Sequence, residues 1–297
     1  MTATTTRTPL VRALPDALGD IPDGAVVGVG GTVTANHPMA LLRELLRRRP
    51  KALTIVAPTA GLDVDLLVAS GCVARLVTSY VGAEALAGVG PAVRSAAEAG
   101  TLHVWDADEA HCAMGLRAAA QGLPFLPWRG GVGTDLPTAN PDLVPFADPI
   151  RGEPLLAIPA LRLDVALIHA ETADAFGNVQ FVGPGHMDPL IAAAADRVVV
   201  QVDRLVPNAV IRQDPGATRF WRDTVVTRAP WGTHPYSSAG IEADAAHLAE
   251  YAAAVRAAGK GDPDALERHM QTYVYGPADH AGYLEAVGVR RLAELVQ

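Results

Sequence analysis

Ala25-Val26-Val27-Gly28-Val29-Gly30-Gly31-Thr32, followed by Pro38-Met39-Ala40-Leu41-Leu42-Arg43-Glu44-Leu45-Leu46, is the stretch on which the fold turns. An apolar run of strand length ends in glycines, and Pro38 then opens a segment whose apolar residues recur at helical spacing. The pattern is strand, glycine loop, helix. It repeats downstream: 53–57 reads as a strand, 63–69 as a short helix and 73–78 as a strand. A helix over 92–99 closed by Gly100, a strand over 102–105 and a helix over 109–120 closed by Gly122 follow. Alternating strands and helices require crossover connections, and right-handed crossovers build an α/β fold with a doubly wound, mostly parallel sheet.

From 123 to 159 the chain is rich in Pro and Gly with little periodicity, which predicts a long loop region or an inserted hairpin. Order returns with a core strand over 164–169, a short helix over 189–195 after Asp188, and a strand over 197–202. Beyond Gly240 the sequence turns Ala-rich, and 243–258, 263–272 and 290–296 are amphipathic helix candidates that predict a C-terminal cap. There is no repeat, heptad run or Gly/Ser linker, so one domain is expected over 1–297, with a tail over 1–20 and the helical cap over 240–297.

Composition narrows the function classes. Of 297 residues, 49% are hydrophobic and 19% charged, which predicts a packed globule. The net charge of -8 argues against nucleic acid as a partner, because phosphate binding needs a basic field. Arg47-Arg48-Arg49, the dense basic run, falls at a helix end, where the macrodipole accounts for it. Every apolar run is broken well short of the roughly 20 residues that span a bilayer, and the Thr-rich start has no apolar h-region, so a cytoplasmic location is expected. The two cysteines, Cys72 and Cys112, are expected to be reduced and buried, and a pairing of Cys112 with its neighbour His111 is disfavoured because adjacent helical residues point about 100° apart.

Several segments are candidates for a site. The backbone N–H groups of Gly28 to Thr32 either face an anion or oxyanion or simply form a tight strand-to-helix turn. Val33 stands where a dinucleotide fingerprint needs Gly or Ala, and no Gly-Lys-Ser/Thr follows, so neither nucleotide motif is present. Arg129-Gly130-Gly131-Val132-Gly133-Thr134-Asp135 offers a fixed positive charge on an adaptable backbone, with Trp128 as a shield; the alternative is that Arg129 pairs with Asp135 or another acid. Asp174 to Asn178 reads as a turn, and His169 stands at the predicted C-terminal end of its strand, where open sheets place ligand-facing residues. Glu109 in Asp106-Ala107-Asp108-Glu109 either caps the helix it enters or faces the cleft as a general acid or base. His37, His169 and His186 show no metal-ligand pairing, and no metal is expected.

Taken in order, three of these segments resemble the alpha subunit of the family I CoA-transferases, across roughly 26–202. They are Gly30-Gly31 through Pro38-Met39-Ala40-Leu41-Leu42, then Glu109 to Asp135 with Pro124-Phe125-Leu126-Pro127 and Gly130-Gly131-Val132-Gly133-Thr134, and finally Asp164 to Phe181. The resemblance implies a doubly wound domain of the type shared with sugar-phosphate isomerases and ligand-sensing domains. It also implies a coenzyme A thioester and a carboxylic acid as substrates, no permanently bound cofactor, and the second CoA-transferase subunit as partner in a heterodimer or heterotetramer. In that family a glutamate of the partner subunit forms an acyl anhydride and then a glutamyl-CoA thioester. Its Ser-Glu-Asn-Gly type context is absent around Glu44, Glu84, Glu98, Glu153 and Glu171. By implication this chain supplies walls and substrate contacts from Gly30, Gly31, Ser79, Tyr80, Arg129, Gly130 and Gly131.

A branch of ring-opening hydrolases of steroid breakdown is also similar, through Asp108-Glu109, Ala118 to Pro127 and Ala160 to Asp164; there Glu109 would be the acid/base. A sugar-phosphate isomerase or effector-binding domain of the same architecture is a further alternative.

Overall fold

Seven parallel strands form the centre of the molecule, in the spatial order Thr224–Arg228, Ala195–Leu205, Leu163–Ala173, Val26–Val29, Leu53–Val56, Val73–Thr78 and His103–Asp106. The computed structural model describes residues 8–84, 88–182, 185–220 and 223–297. Successive strand side chains point to opposite faces, and both faces are apolar, as a fully covered parallel sheet requires. Val27, Val29, Ile55, Val165, Leu167 and Val199 pack beneath the helices Met39–Arg47, Leu62–Ala69 and Pro91–Glu98. Val56, Ala166, Ile168, Val198 and Val200 pack on the other face, against Glu109–Ala120 and Asp188–Ala194. The sheet is doubly wound, as the alternating pattern predicts.

The connections place the site. From Val26–Val29 the chain steps outward strand by strand to the edge at His103–Asp106, then crosses back to lay Leu163–Ala173 along the other side of the first strand. The strand order reverses between these two. Ligands of open α/β sheets bind outside the carboxyl ends of the strands at such a reversal, and here that end is the Gly30-Gly31 turn.

Two expectations are refined and two elements are added. The 123–159 region is a three-stranded antiparallel sheet, with Pro154–Pro159 between Phe125–Trp128 and Val144–Ala147. The strand expected over 164–169 is eleven residues long, Leu163–Ala173. The edge strand Thr224–Arg228 and the helix His280–Val287 are additions that the sequence pattern does not predict. Their neighbours Ala245–Gly259, Asp264–Met270 and Val289–Glu294 supply the C-terminal helices.

From Leu10 the expected tail is docked: the Leu10 N–H donates to the Ala175 carbonyl, and Ala17 and Leu18 of the helix Leu14–Leu18 are buried. Residues 1–7 lie outside the described residues. The arginine run is structural, with Arg47 paired to Glu44 at 2.6 Å, Arg48 donating to the Pro15 and Gly19 carbonyls, and Arg49 lying over the Tyr275 ring. Among the described residues no helix is long and apolar enough to cross a membrane.

Candidate active site

The Gly30-Gly31 turn is built on contacts that only glycine permits. A Cβ at Gly30 would lie 2.8 Å from Asp188 Oδ1, and Gly31 has a φ of +96° that other residues rarely adopt. Its donors are all engaged. Gly30 N–H bonds the Leu167 carbonyl at 2.9 Å, Gly31 N–H the Asp188 carboxylate at 2.9 Å, Thr32 N–H the Ala35 carbonyl at 2.9 Å and Val33 N–H the Thr59 carbonyl at 3.1 Å. The backbone donors that a sequence reading offers to an anion are thus consumed by the fold. What the turn presents instead is a close-approach wall.

Asp188 opens the Asp188–Ala194 helix, is 1% exposed, and was not singled out by sequence reasoning. Burial, reinforced by the neighbouring charge of Glu171 and opposed by the Gly31 N–H and by His37, pushes its carboxyl up to about 7. His37 is buried beside it with Nδ1 2.8 Å from Asp63 Oδ2. Two residues before Asp188, His186 adopts a φ of +46° and places Nε2 3.4 Å from Glu109 Oε1. Gly183 and Pro184 of the same loop lie outside the described residues.

Glu109 is free to make this contact because Asp108 is the helix cap. Asp108 Oδ1 accepts from the His111 N–H at 2.9 Å and pairs with His111 Nδ1 at 2.6 Å. Burial works to raise the Asp108 carboxyl, but the His111 hydrogen bonds outweigh it and hold the pKa below its usual value. Glu109 itself is 45% exposed at the rim. His111, fully buried, also reaches the Gly130 carbonyl through Nε2 at 3.1 Å. It is the strut that docks the glycine loop onto the helix bearing Glu109.

The remaining candidates separate into three groups. Ser79 and Tyr80 lie at the end of Val73–Thr78, where Tyr80 pairs with Thr59, whose hydroxyl is 3.4 Å from that of Thr32. Three contacts gather here: Thr32 with Thr59, which pairs with Tyr80, Gly31 with Asp188, and His186 with Glu109, whose helix carries His111 to Gly130. Arg129 is exposed and ion-paired with Glu153, an acid other than Asp135. His169 is displaced from the cleft for a plain reason. Its strand continues four residues past it, so it sits inside the ladder opposite Gln201, fully buried, with Nδ1 3.2 Å from Gln201 Nε2.

Cys112 is buried, and burial pushes its thiol up to about 12, which suits packing rather than nucleophilic attack. His234, Asp244 and His247 converge closely enough to hold a cation. Asp244 is already matched by Arg291, whose Nη2 donates to Oδ1 at 2.8 Å, and His234 Nδ1 lies 2.6 Å from the Tyr283 hydroxyl. That guanidinium occupies the carboxylate a cation would need.

Comparison with known proteins fits this geometry. The coenzyme A transferase family model matches residues 11–219, and the chain belongs to that family. It is 31% identical over 305 residues to one of the subunits of the glutaconate CoA-transferase of Acidaminococcus fermentans, spanning 96% of this chain and 94% of the relative. The crystal structure of that glutaconate CoA-transferase superposes with a TM-score of 0.89 at 28% identity, over 97% of this chain and 96% of the other. The cholesterol ring-cleaving hydrolase IpdA subunit of Rhodococcus jostii is 34% identical over 281 residues, 90% of this chain and 92% of the relative. An uncharacterized Archaeoglobus fulgidus protein is 35% identical over 283 residues, and the chain spans 61% of its length.

Proposed function

We propose that this chain is the alpha subunit of a two-subunit enzyme that moves coenzyme A between acyl thioesters and free carboxylic acids. The observation that carries the reading is the nearly end-to-end likeness to glutaconate CoA-transferase, in fold and in sequence. The chain provides the Gly30-Gly31 wall and the Glu109–His186 rim, and its partner brings the glutamate that attacks the thioester. Coenzyme A enters and leaves as part of the substrate, so no group is held between turnovers. A partner also answers the exposed apolar side chains Phe125, Val144, Ile150 and Val182, since a solvated surface gains nothing from them. The two unpaired cysteines suit a reducing cytoplasm.

One observation favours a second reading, hydrolysis of a carbon–carbon bond in a cyclic CoA thioester. Glu109 and His186 form an acid/base pair on this chain itself, and the IpdA relative is a ring-cleaving hydrolase subunit. Borohydride treatment of the assembled complex separates the two, because hydride reduces an enzyme-bound CoA thioester. Loss of activity only in the presence of CoA substrate is expected for exchange. Continued turnover under the same treatment assigns the hydrolytic reaction.

A further inference from the structure

We infer that Asp188 is the positioning residue of the rim: by holding the Gly31 N–H it fixes the 185–188 turn and thereby sets His186 against Glu109. The inference rests on the proposed use of Glu109 and His186 toward a CoA thioester, and deepens it. Gly31 and Asp188 are 157 positions apart, yet a hydrogen bond of 2.9 Å joins the glycine turn to the start of the Asp188–Ala194 helix. The turn is closed at its other end by the Asp188 N–H, which donates to the Gly185 carbonyl at 2.9 Å. Between these fixed points His186 is held at a φ of +46°, a conformation that is strained for a non-glycine residue and persists only where the surroundings impose it. Its imidazole consequently lies 3.4 Å from Glu109.

A buried carboxylate beside Glu171 is a poor choice for stability alone, since an apolar residue of similar size would avoid the desolvation. Its surroundings set when it is charged. Glu171 faces it from the Leu163–Ala173 strand and raises its pKa, whereas His37, ahead of the Met39–Arg47 helix and paired with Asp63, lowers it. On its own turn His186 faces Glu109 of the Glu109–Ala120 helix. Ionisation strengthens the bond that Asp188 accepts from Gly31, so the grip on the turn follows the carboxyl's titration near neutrality.

The test uses the complex co-expressed from both chains. Asp188→Ala is expected to lower kcat by roughly 10- to 100-fold with little change in KM, the signature of a misplaced rim and not of lost binding. Asp188→Asn keeps an acceptor for Gly31 and is expected to recover most of that loss while flattening any limb of the pH profile near 7. Adding His186→Ala to Asp188→Ala should cost no further activity, because both act through one contact. Normal kcat in an assembled Asp188→Ala complex, an Asp188→Asn as impaired as Asp188→Ala, or fully additive losses would each overturn the inference.

Amide hydrogen exchange gives a readout independent of turnover. Asp188→Ala should accelerate exchange at Gly31 and across 185–188 together while Asp188→Asn does not, and unchanged exchange contradicts the positioning role. Should Asp188→Ala fail to assemble, the Asp188→Asn pH profile decides, with a profile identical to wild type counting against it. A wild-type complex inactive on every CoA thioester would instead refute the proposed function, and the exchange measurement would still judge Asp188.

Discussion

At Gly30 and Asp188 the backbone and a carboxylate approach so closely that a single added methyl group would collide. Gly30→Ala forces its new carbon against the Asp188 carboxylate, whose displacement is expected to cost about 1–3 kcal/mol and lower the Tm of the isolated chain. Differential scanning fluorimetry of that variant checks this, and an unchanged Tm would mean that the contact is slack. Asp188 also predicts a pH dependence of stability. Unfolded, its carboxyl titrates at the ordinary 3.8, and folded at about 7, so between these values the native state binds the extra proton. Stability from this group is therefore lost as pH rises through that window, and the penalty is complete above it. Asp188→Asn lacks the penalty, so its Tm should match wild type near pH 4 and exceed it by several degrees at pH 8. None of this was visible in the sequence. Gly31 reads as a turn and Asp188 only as the residue before a helix, and a contact across 157 positions leaves no local periodicity to find.

At the scale of elements, legibility followed burial. Strands buried on both faces, such as Val26–Val29 and Leu53–Val56, announce themselves as short apolar runs, and the helices between them by their spacing. Thr224–Arg228 escaped because five residues beginning and ending in polar side chains carry too little pattern. The end of Leu163–Ala173 escaped because Glu171 and Thr172 break its apolar run, and with it went the placement of His169. The insert was legible only as a loop or a hairpin, because prolines within its strands mask the third strand's pattern.

His111→Ala removes the strut between the Glu109 helix and the Gly130 loop, leaves the Gly130 carbonyl without its partner, and should cost about 1–3 kcal/mol. Limited proteolysis should then cut within 129–135 faster than in wild type, and equal rates would deny the strut its role. Ile150→Asp, at a side chain 89% exposed on the insert, should leave the isolated chain's Tm unchanged while weakening co-purification with the second chain. Undiminished assembly would move the partner face elsewhere.

The whole molecule sets where the site falls. A doubly wound sheet concentrates its glycine turn, its helix N-terminus and its rim carboxylate at one reversal of strand order, and each arrives from a different part of the chain. The fold class and the glycine turn were therefore readable from alternation alone, whereas the coupling of turn, His186 and Glu109 exists only once the sheet has closed up. Glu109 and His186 lie 3.4 Å apart on this chain, and the Ser-Glu-Asn-Gly type context of the family's nucleophile is absent from this sequence. Under the proposed function, turnover needs two chains. Purified separately and then mixed, this chain and its partner should convert an acyl-CoA and a free carboxylate to the exchanged pair, with neither active alone. Full turnover by this chain in isolation would contradict the account.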